Sequence, residues 1–281
     1  MKKIYMVLAV LCLTISGFAQ SETAKTASDS VQNTTDTIKV GNFIIIRKNK
    51  SKSEDNTSTE VSVERKPEKP GKIKTNWFIF DLGFANTNDK TNYTNLNTTD
   101  YLRSPLTKDD FKLRAIKSSN VNIWLVMQKI NLIKGYVNLK YGLGLEMFNL
   151  RYESPINYGK DSRPYIFRDS ISFTKNKLYA GYATVPFMLN FNTTPGRKKG
   201  LSLSVGMSAG YLIGSHDKQI SGERGKDKTH GNLGLEQFRL AYISELGIGS
   251  IRLFGSYSIT KLHEKTLEQY PYSFGIRFSS F

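Results

Sequence analysis

The final eleven residues, 271–281, place the strongest constraint on what this chain can fold into. Their apolar side chains recur at every second position: Tyr272, Phe274, Ile276 and Phe278. A period of two is typical of a strand with one apolar face and one polar face. The chain ends in this segment on the aromatic residue Phe281 and begins with an export signal. That combination predicts an outer-membrane β-barrel.

The N-terminus has the three parts of a secretory signal peptide. Two lysines follow Met1, an apolar run covers 4–15, and small residues lead up to Ala19. We therefore expect residues 1–19 to be removed. The alternative is a membrane anchor, but the run is shorter than the ~20 apolar residues that a spanning helix needs.

Composition narrows the chemistry and the partners. Cys12 is the only cysteine and is expected to leave with the signal, which excludes disulfides, thiol nucleophiles and cysteine metal sites from the mature chain. The formal net charge is +16. Because the chain is expected to be exported, lipopolysaccharide and anionic lipid headgroups are favoured as counter-charges over nucleic acid. Ordinary solvated loops are the alternative explanation.

Residues 20–74 have the composition of a disordered periplasmic tail. Ser, Thr, Asn and Asp dominate its first part, and segment 48–74 is dense in charge, so neither part can bury enough apolar surface to offset chain entropy. Between them, 37–47 is a short β-prone island. It is interpreted either as a strand that pairs locally or as a strand-addition peptide for a periplasmic protein partner.

The period-two pattern predicts eight strands from Thr75 onward. They cover 75–84, 118–128, 135–150, 177–191, 200–214, 237–247, 250–260 and 271–281. No stretch after the signal reaches 18 consecutive apolar residues, so a closed barrel is the only spanning structure left to the chain. The outward face of the second strand is expected to carry Val121, Ile123, Leu125 and Met127. Pro186 conflicts with the fourth strand unless it marks a bulge.

The connections between these strands alternate in length. Long segments at 85–117, 151–176, 215–236 and 261–270 alternate with short ones at 129–134, 192–199 and 248–249. This alternation is typical of external loops and periplasmic turns, and an even strand number predicts that both termini are periplasmic. A soluble lipocalin-like barrel is the alternative. It is disfavoured because the polar face of strands three and five carries glycine and serine, which suit a crowded lumen.

Eight strands leave an interior just wide enough for side chains to fill it. Seven charged residues of the polar faces are predicted to lie there as a structural network of ion pairs: Asp81, Lys140, Glu146, Arg239, Glu245, Arg252 and Arg277. Unpaired burial of charge is costly, so opposite charges are expected to pair. A narrow proton or ion path is the alternative, and a general diffusion porin is disfavoured by size.

The sequence offers little support for an enzyme. The three histidines, His216, His230 and His263, are all expected on the external side, where a histidine with Asp217 and a serine could serve acyl transfer. A surface metal site at His216, Asp217 and His230 is a second alternative. No nucleotide, zinc or phosphate-binding motif is present in the sequence. We therefore expect no cofactor and no catalysis.

Four stretches carry a resemblance to the outer-membrane β-barrel proteins of Bacteroidetes, the broad family that includes PorT-like proteins. They are 76–83 (NWFIFDLG), 136–146 (YVNLKYGLGLE), 175–185 (KNKLYAGYATV) and 213–216 (IGSH). The island at 38–42 is similar to a tail motif of some members. The resemblance implies a barrel over 75–281 in the outer membrane and, for the PorT-like branch, a link to protein secretion. No residue selects that branch.

Taken together, the sequence predicts an all-β protein: an eight-stranded antiparallel up-and-down transmembrane β-barrel with a disordered periplasmic tail. Its expected role is structural or interactive, through the external loops and the tail. A small pore, a secretion-associated barrel and a rim-site enzyme are the alternatives. The expected partners are outer-membrane lipid and lipopolysaccharide, the barrel-assembly machinery and a periplasmic protein.

Overall fold

The structure is a computed structural model of the 281-residue chain. It describes residues 35–40, 43–48, 60–65, 72–95, 101–161, 163–195 and 200–279. The chain divides into two units, Met1–Glu68 and Lys69–Phe281, and each is described by itself. The predicted signal peptide, 1–19, lies outside the described residues.

The first unit contains a three-stranded antiparallel sheet. Its strands are β1 (Thr35–Val40), β2 (Phe43–Lys48) and β3 (Glu60–Arg65), in the order β1-β2-β3. Val40 pairs with Phe43, so the predicted island is a hairpin of two strands. The charge density of segment 48–74 predicts disorder, whereas β3 lies within this segment. Most of the predicted disorder falls outside the described residues.

The second unit is built from long strands. They are β4 (Ile73–Asp89), β5 (Ser119–Ile133), β6 (Val137–Arg151), β7 (Ile156–Lys160), β8 (Pro164–Arg168), β9 (Lys175–Asn192), β10 (Leu201–Ser221), β11 (Gly225–His230), β12 (Phe238–Ile248), β13 (Ile251–Ser258) and β14 (Gln269–Phe278). Among the described residues the only helices are 3₁₀ turns at Tyr93–Asn95 and Lys108–Phe111. No helix in these ranges is long and apolar enough to cross a membrane.

Eight of these strands form a closed antiparallel ring. Each pairs with the next in the order β4-β5-β6-β9-β10-β12-β13-β14, and β14 pairs back onto β4. At the closure Arg277 lies opposite Asp81 and Phe278 opposite Phe80. The predicted all-β class and the eight antiparallel strands are confirmed. Closure leaves these eight strands without an unpaired edge along most of their length.

The two ends of the ring differ. The turns at 134–136 and 249–250, the end of β9 and the start of β10 lie at the end where β4 begins and β14 ends, which we call the short-turn end. Long segments leave the opposite, long-loop end. Two of these, predicted as loops at 151–176 and 215–236, contain further strands: β7 pairs with β8, and β11 extends the sheet from β10. Ile156 and Tyr158 of β7 are fully buried, which explains why this segment is ordered into a strand.

Side chains along the ring strands alternate between an exposed apolar face and a buried polar face. On β10, Leu201, Leu203, Val205 and Met207 point outward and are more than 40 % exposed, whereas Ser204 and Ser208 point inward and are buried. The inward faces of β6, β12 and β14 likewise carry buried polar residues, among them Lys140, Glu245 and Arg277. Over the middle of the ring strands, the outside is therefore largely apolar and the inside largely polar.

Bulges on β5 and β10 reverse this alternation, whereas Pro186 in β9 does not. A bulge between Trp124 and Val126 reverses the parity of β5, so Met127, predicted outward, is 1 % exposed and lies inside. A second bulge, between Leu212 and Gly214, reverses the parity of β10. Pro186 stays within β9 opposite Ser208, and no bulge accompanies it. The β6–β9 pairing is interrupted at its position, which accommodates its missing N–H.

Candidate functional site

The interior of the ring holds a connected group of five charged residues. Arg277 makes a two-point ion pair with Asp81, at 2.7 Å for each N–O contact, and a third contact of 2.8 Å with Glu245. Glu245 also contacts Lys140 at 2.7 Å and Arg252 at 3.5 Å. Glu245 is thus held by three cations. The two-point geometry matches the planar guanidinium to the carboxylate.

Aromatic and amide groups complete the surroundings of Asp81. The indole Nε1 of Trp124 donates a 2.7 Å hydrogen bond to its Oδ2, and Asn122 donates another of 3.2 Å. The Arg277 guanidinium also lies over the Trp124 ring, 5.3 Å from the ring centroid. Asp81 is fully buried, so these donors replace the water it would otherwise bind.

A second, smaller group lies nearer the long-loop end. Arg239 contacts Glu146 at 2.7 Å and donates to the hydroxyl groups of Ser256 and Ser258, both at 2.7 Å. Thr184 donates to the same Glu146 oxygen at 3.0 Å. Three hydroxyl groups therefore hold one buried ion pair in place.

All seven residues predicted for the interior network lie inside the ring and take part in these contacts: Asp81, Lys140, Glu146, Arg239, Glu245, Arg252 and Arg277. Three carboxylates face four cations. Every carboxylate is 2 % exposed or less. Each buried carboxylate contacts at least one cation, so its charge is neutralised within the network. Trp124 and Ser258 could not be predicted as members of this network, because neutral hydrogen-bond partners carry no charge signal.

Above this network, at the long-loop end, the interior becomes apolar. Phe148, Leu150, Leu178 and Tyr182, from the upper parts of β6 and β9, are buried against the long loops. The loops contribute a larger set to the same core: Tyr101, Leu102, Leu106, Phe111, Leu113, Tyr152, Ile156, Tyr158, Ile166, Leu233, Leu235, Leu262 and Leu267. We call this the cap. It packs as a core of its own over the mouth of the ring.

A chain of hydrogen bonds crosses the cap. Tyr101 shares a 2.8 Å contact with Nδ1 of His263, whose Nε2 lies 3.2 Å from Oε1 of Gln269. Gln269 donates to Asp89 at 3.0 Å, and Tyr93 donates to the same carboxylate oxygen at 2.6 Å. Burial lowers the pKa of His263 to about 4, so the ring is neutral at physiological pH.

Asp217 lies on the inward face of β10 beneath the cap. It is 1 % exposed, and its Oδ2 accepts a long hydrogen bond of 3.5 Å from the backbone N–H of Tyr158. Burial raises the pKa of Asp217 to about 7. Tyr158 itself stacks on His263 with ring centroids 6.0 Å apart. The cap therefore buries an acid and a base whose pKa values are shifted in opposite directions.

Of the residues of the two alternative sites considered from sequence, the structure brings His216 and His230 together and separates His263 and Asp217 from them. His263, expected on the external side with the others, is fully buried in the cap. His216 stacks on Tyr179 at 4.6 Å and lies 5.3 Å from the His230 ring, on the outward face. Asp217 points to the opposite face. Among the described residues no three His, Cys, Asp or Glu side chains form a group that could hold a metal ion.

A cleft of about 410 Å³ opens at the surface of the cap. The residues that line it include Tyr101, Arg163, Asn232, Glu264 and Lys265. The cleft connects the surface with the hydrogen-bond chain through Tyr101, which is 4 % exposed. Both signs of charge line it, so no single ligand class is selected by its electrostatics.

The comparisons with known proteins add no assignment. No protein-family model matches the chain, and the search of curated proteins found no similar sequence.

Proposed function

We propose that this protein is a non-enzymatic outer-membrane β-barrel with both termini in the periplasm. The observation that carries the proposal is the reversed polarity of the ring. Its outside bears Trp77, Phe187, Leu203 and Phe274, each more than 40 % exposed, while ion pairs fill its inside. In water such a surface would be unfavourable by about 25 cal/mol for each Å² of exposed apolar area. In a bilayer the same surface is solvated by acyl chains.

The dimensions of the apolar surface support the proposal. On β10 it runs from Leu201 to Ile213. At a rise of about 3.3 Å per residue this is roughly 40 Å along the strand, or about 30 Å at a tilt of ~40°. A bilayer hydrocarbon core is about 30 Å thick. The closed ring also satisfies the requirement that no backbone donor faces lipid unpaired.

Exposed aromatic residues lie at both edges of this surface. Trp77, Tyr136 and Phe278 are exposed near the short-turn end. Tyr211 and Phe238 face each other near the long-loop end, with ring centroids 5.2 Å apart. Two aromatic girdles are typical of transmembrane barrels, because these rings favour the lipid–water interface.

The interior and the cap favour a structural or interaction role over transport. The ion pairs occupy the ring at the level of Glu245, and the cap packs over the external mouth. The surfaces left for recognition are the outside of the cap and the tail, which agrees with a lipopolysaccharide environment outside and a periplasmic protein partner inside. Assembly by the barrel-assembly machinery follows from the location. A secretion-associated, PorT-like role is compatible with this arrangement.

The first test is the electrophoretic mobility of the full chain from purified outer membranes, with and without boiling. A folded barrel runs faster before boiling, and protease added to whole cells should cut only in the long loops. An unshifted band from a water-soluble protein would overturn the proposal.

The two tryptophans give a sharper test, because Trp77 is 67 % exposed and Trp124 is 2 % exposed. In vesicles of brominated phosphatidylcholine, the Trp124→Phe variant, which retains Trp77, should lose most of its fluorescence by contact with bromine. The matched Trp77→Phe variant, which retains Trp124, should be quenched little. Equal quenching of the two variants would contradict the proposed orientation of the strands.

A further inference from the structure

The upper parts of four neighbouring strands present a continuous basic surface. Arg151 of β6 lies opposite Lys177 of β9, Lys177 opposite Lys218 of β10, and Lys218 opposite Lys228 of β11. Four cations therefore stand in one row across four strands. The next row, further from the short-turn end, places Ile220 between Lys175 and Lys226. The row on the other side, nearer the short-turn end, consists of Tyr179, His216 and His230. We call these three rows the basic face.

The basic face points away from the interior. The alternate residues of β10, Ser215, Asp217 and Gln219, are buried inside, whereas Lys218 is partly exposed and Lys228 is exposed. This direction results from the bulge between Leu212 and Gly214. Without it, His216 and Lys218 would turn inward and Asp217 would turn outward. The bulge thus places the cations on the same side as the apolar surface below them.

Carboxylates are absent from this face among the described residues. Asp217 points inward, and Asp227 lies on the opposite side of β11, facing Gln219. Lys177 donates to the amide oxygen of Asn149 at 2.6 Å, and Arg151 donates to the backbone oxygen of Thr174 at 2.9 Å. Neither contact supplies negative charge. No lysine of the three rows lies within ion-pair distance of an acid in the described ranges.

The charges on this face repel one another. Directly opposed like charges destabilise paired strands. Lys175 and Lys226 lower the pKa of Lys218, and burial, followed by Lys228 and Lys177, lowers the pKa of His216 to about 4. Lysines at a sheet edge can protect it from pairing with other chains, and this explains those on β11. It does not explain Lys177, because at that position β9 is paired with both β6 and β10.

The position of the basic face indicates what neutralises it. It begins three residues beyond Ile213, the last exposed apolar residue of β10, on the same outward side. At about 3.3 Å per residue, His216 is roughly 10 Å and Lys218 roughly 17 Å further along the strand. These positions correspond to the headgroup level of an outer leaflet whose acyl chains cover the apolar surface. An anion that is joined to acyl chains would contact both surfaces at once.

We propose that the basic face binds the phosphate groups of a phosphorylated glycolipid, lipid A, in the outer leaflet. Its acyl chains lie along the outward face of β9 and β10, and its phosphates lie between Lys177, Lys218 and Lys228. The inference rests on the proposed function, because it needs the long-loop end to be external. It adds a defined site to the general expectation of contact with lipopolysaccharide.

The test measures binding of diphosphoryl lipid A to the full chain in neutral detergent micelles. The triple variant Lys177→Gln, Lys218→Gln, Lys228→Gln should bind at least tenfold more weakly than the wild type. A matched variant with the same charge change, Lys90→Gln, Lys108→Gln, Lys117→Gln, replaces exposed lysines of the long-loop end outside the basic face. It should bind within twofold of the wild type. Monophosphoryl lipid A should bind the wild type more weakly than the diphosphoryl form.

Three outcomes would overturn the inference. Equal weakening in both triple variants would mean that only net charge matters, and no weakening in either would mean that lipid A binds elsewhere. Full competition by an equimolar amount of inorganic pyrophosphate would mean that the site takes a free anion. The unboiled gel mobility of each variant separates the two proposals. If the triple variant of the basic face keeps its faster unboiled mobility and binds lipid A as the wild type does, the site alone is refuted. If the wild type itself shows no faster unboiled band, the barrel and the site are refuted together.

Discussion

Removing the charge of Glu245 is the sharpest test of the interior network. The Glu245→Gln substitution keeps the shape of the side chain and deletes the one anion that contacts Lys140, Arg277 and Arg252, at 2.7, 2.8 and 3.5 Å. Each contact is worth about 4 kcal/mol at a charge separation of ~4 Å and an effective dielectric constant of ~20. The desolvation of a buried carboxylate, several kcal/mol, offsets part of this sum.

The expected net loss is therefore the ~3–5 kcal/mol typical of breaking a buried ion pair. The chain offers a matched control in the Lys261–Glu268 pair, which has nearly the same length, 2.8 Å, but is 43 % and 46 % exposed. Glu268→Gln should cost no more than about 1 kcal/mol, because water screens an exposed pair.

Urea titration of the protein folded in detergent micelles, followed by unboiled gel mobility, measures both free energies of unfolding. The double variant Lys140→Gln, Glu245→Gln, which removes one charge of each sign, should recover part of the loss. Equal costs for Glu245→Gln and Glu268→Gln would refute the argument that burial makes the interior pairs decisive.

Two further predictions concern the cap and the interior. The pKa of His263 is lowered to about 4, so its contribution to stability is complete above its unfolded value of ~6.5 and is lost as the pH falls toward 4. The pKa of Asp217 is raised to about 7, so its contribution is complete below ~4 and is lost as the pH rises to 7. The opposing slopes, each about 1.4 kcal/mol per pH unit, should nearly cancel in the wild type. In urea titrations between pH 4 and 8, the Asp217→Asn variant should therefore lose stability as the pH falls. The His263→Gln variant should lose stability as the pH rises. If neither substitution changes the dependence of the free energy of unfolding on pH, the shifted pKa values of these two groups are refuted. Trp124→Phe, which removes the 2.7 Å hydrogen bond to Asp81, should cost roughly 2 kcal/mol by the same titration, whereas Trp77→Phe should cost less than half of that.

The ring strands could be predicted from sequence because their pattern is local. In an alternating strand such as β14, the order of apolar and polar residues over ten positions indicates which residues lie on each face. No contact with a distant segment is needed to predict it. The same alternation placed Asp81, Glu245 and Arg277 on inward faces, and the cost of unpaired buried charge predicted that they would pair. Which acid contacts which base required the register between strands distant in sequence. Arg277 and Asp81, for example, are brought together only by closure of the ring.

The cap and the basic face could not be predicted, because each depends on a break in the alternation or on packing between distant loops. Bulges leave only a weak signal in a sequence of alternating residues, yet the one at Leu212–Gly214 decides that Lys218 faces outward and Asp217 inward. Likewise, nothing near His263 in the sequence indicates burial, since Tyr101 and Tyr158 reach it from other loops.

The sequence by itself thus determined the all-β class, the number of ring strands and the polarity of their faces, because a period of two depends only on neighbouring residues. The tertiary structure alone decided the ion-pair partners, the closure of the cap over the ring and the assembly of the cations into one face. These features depend on strand register and on parity after a bulge, and both are set by hydrogen bonds between segments far apart in the chain.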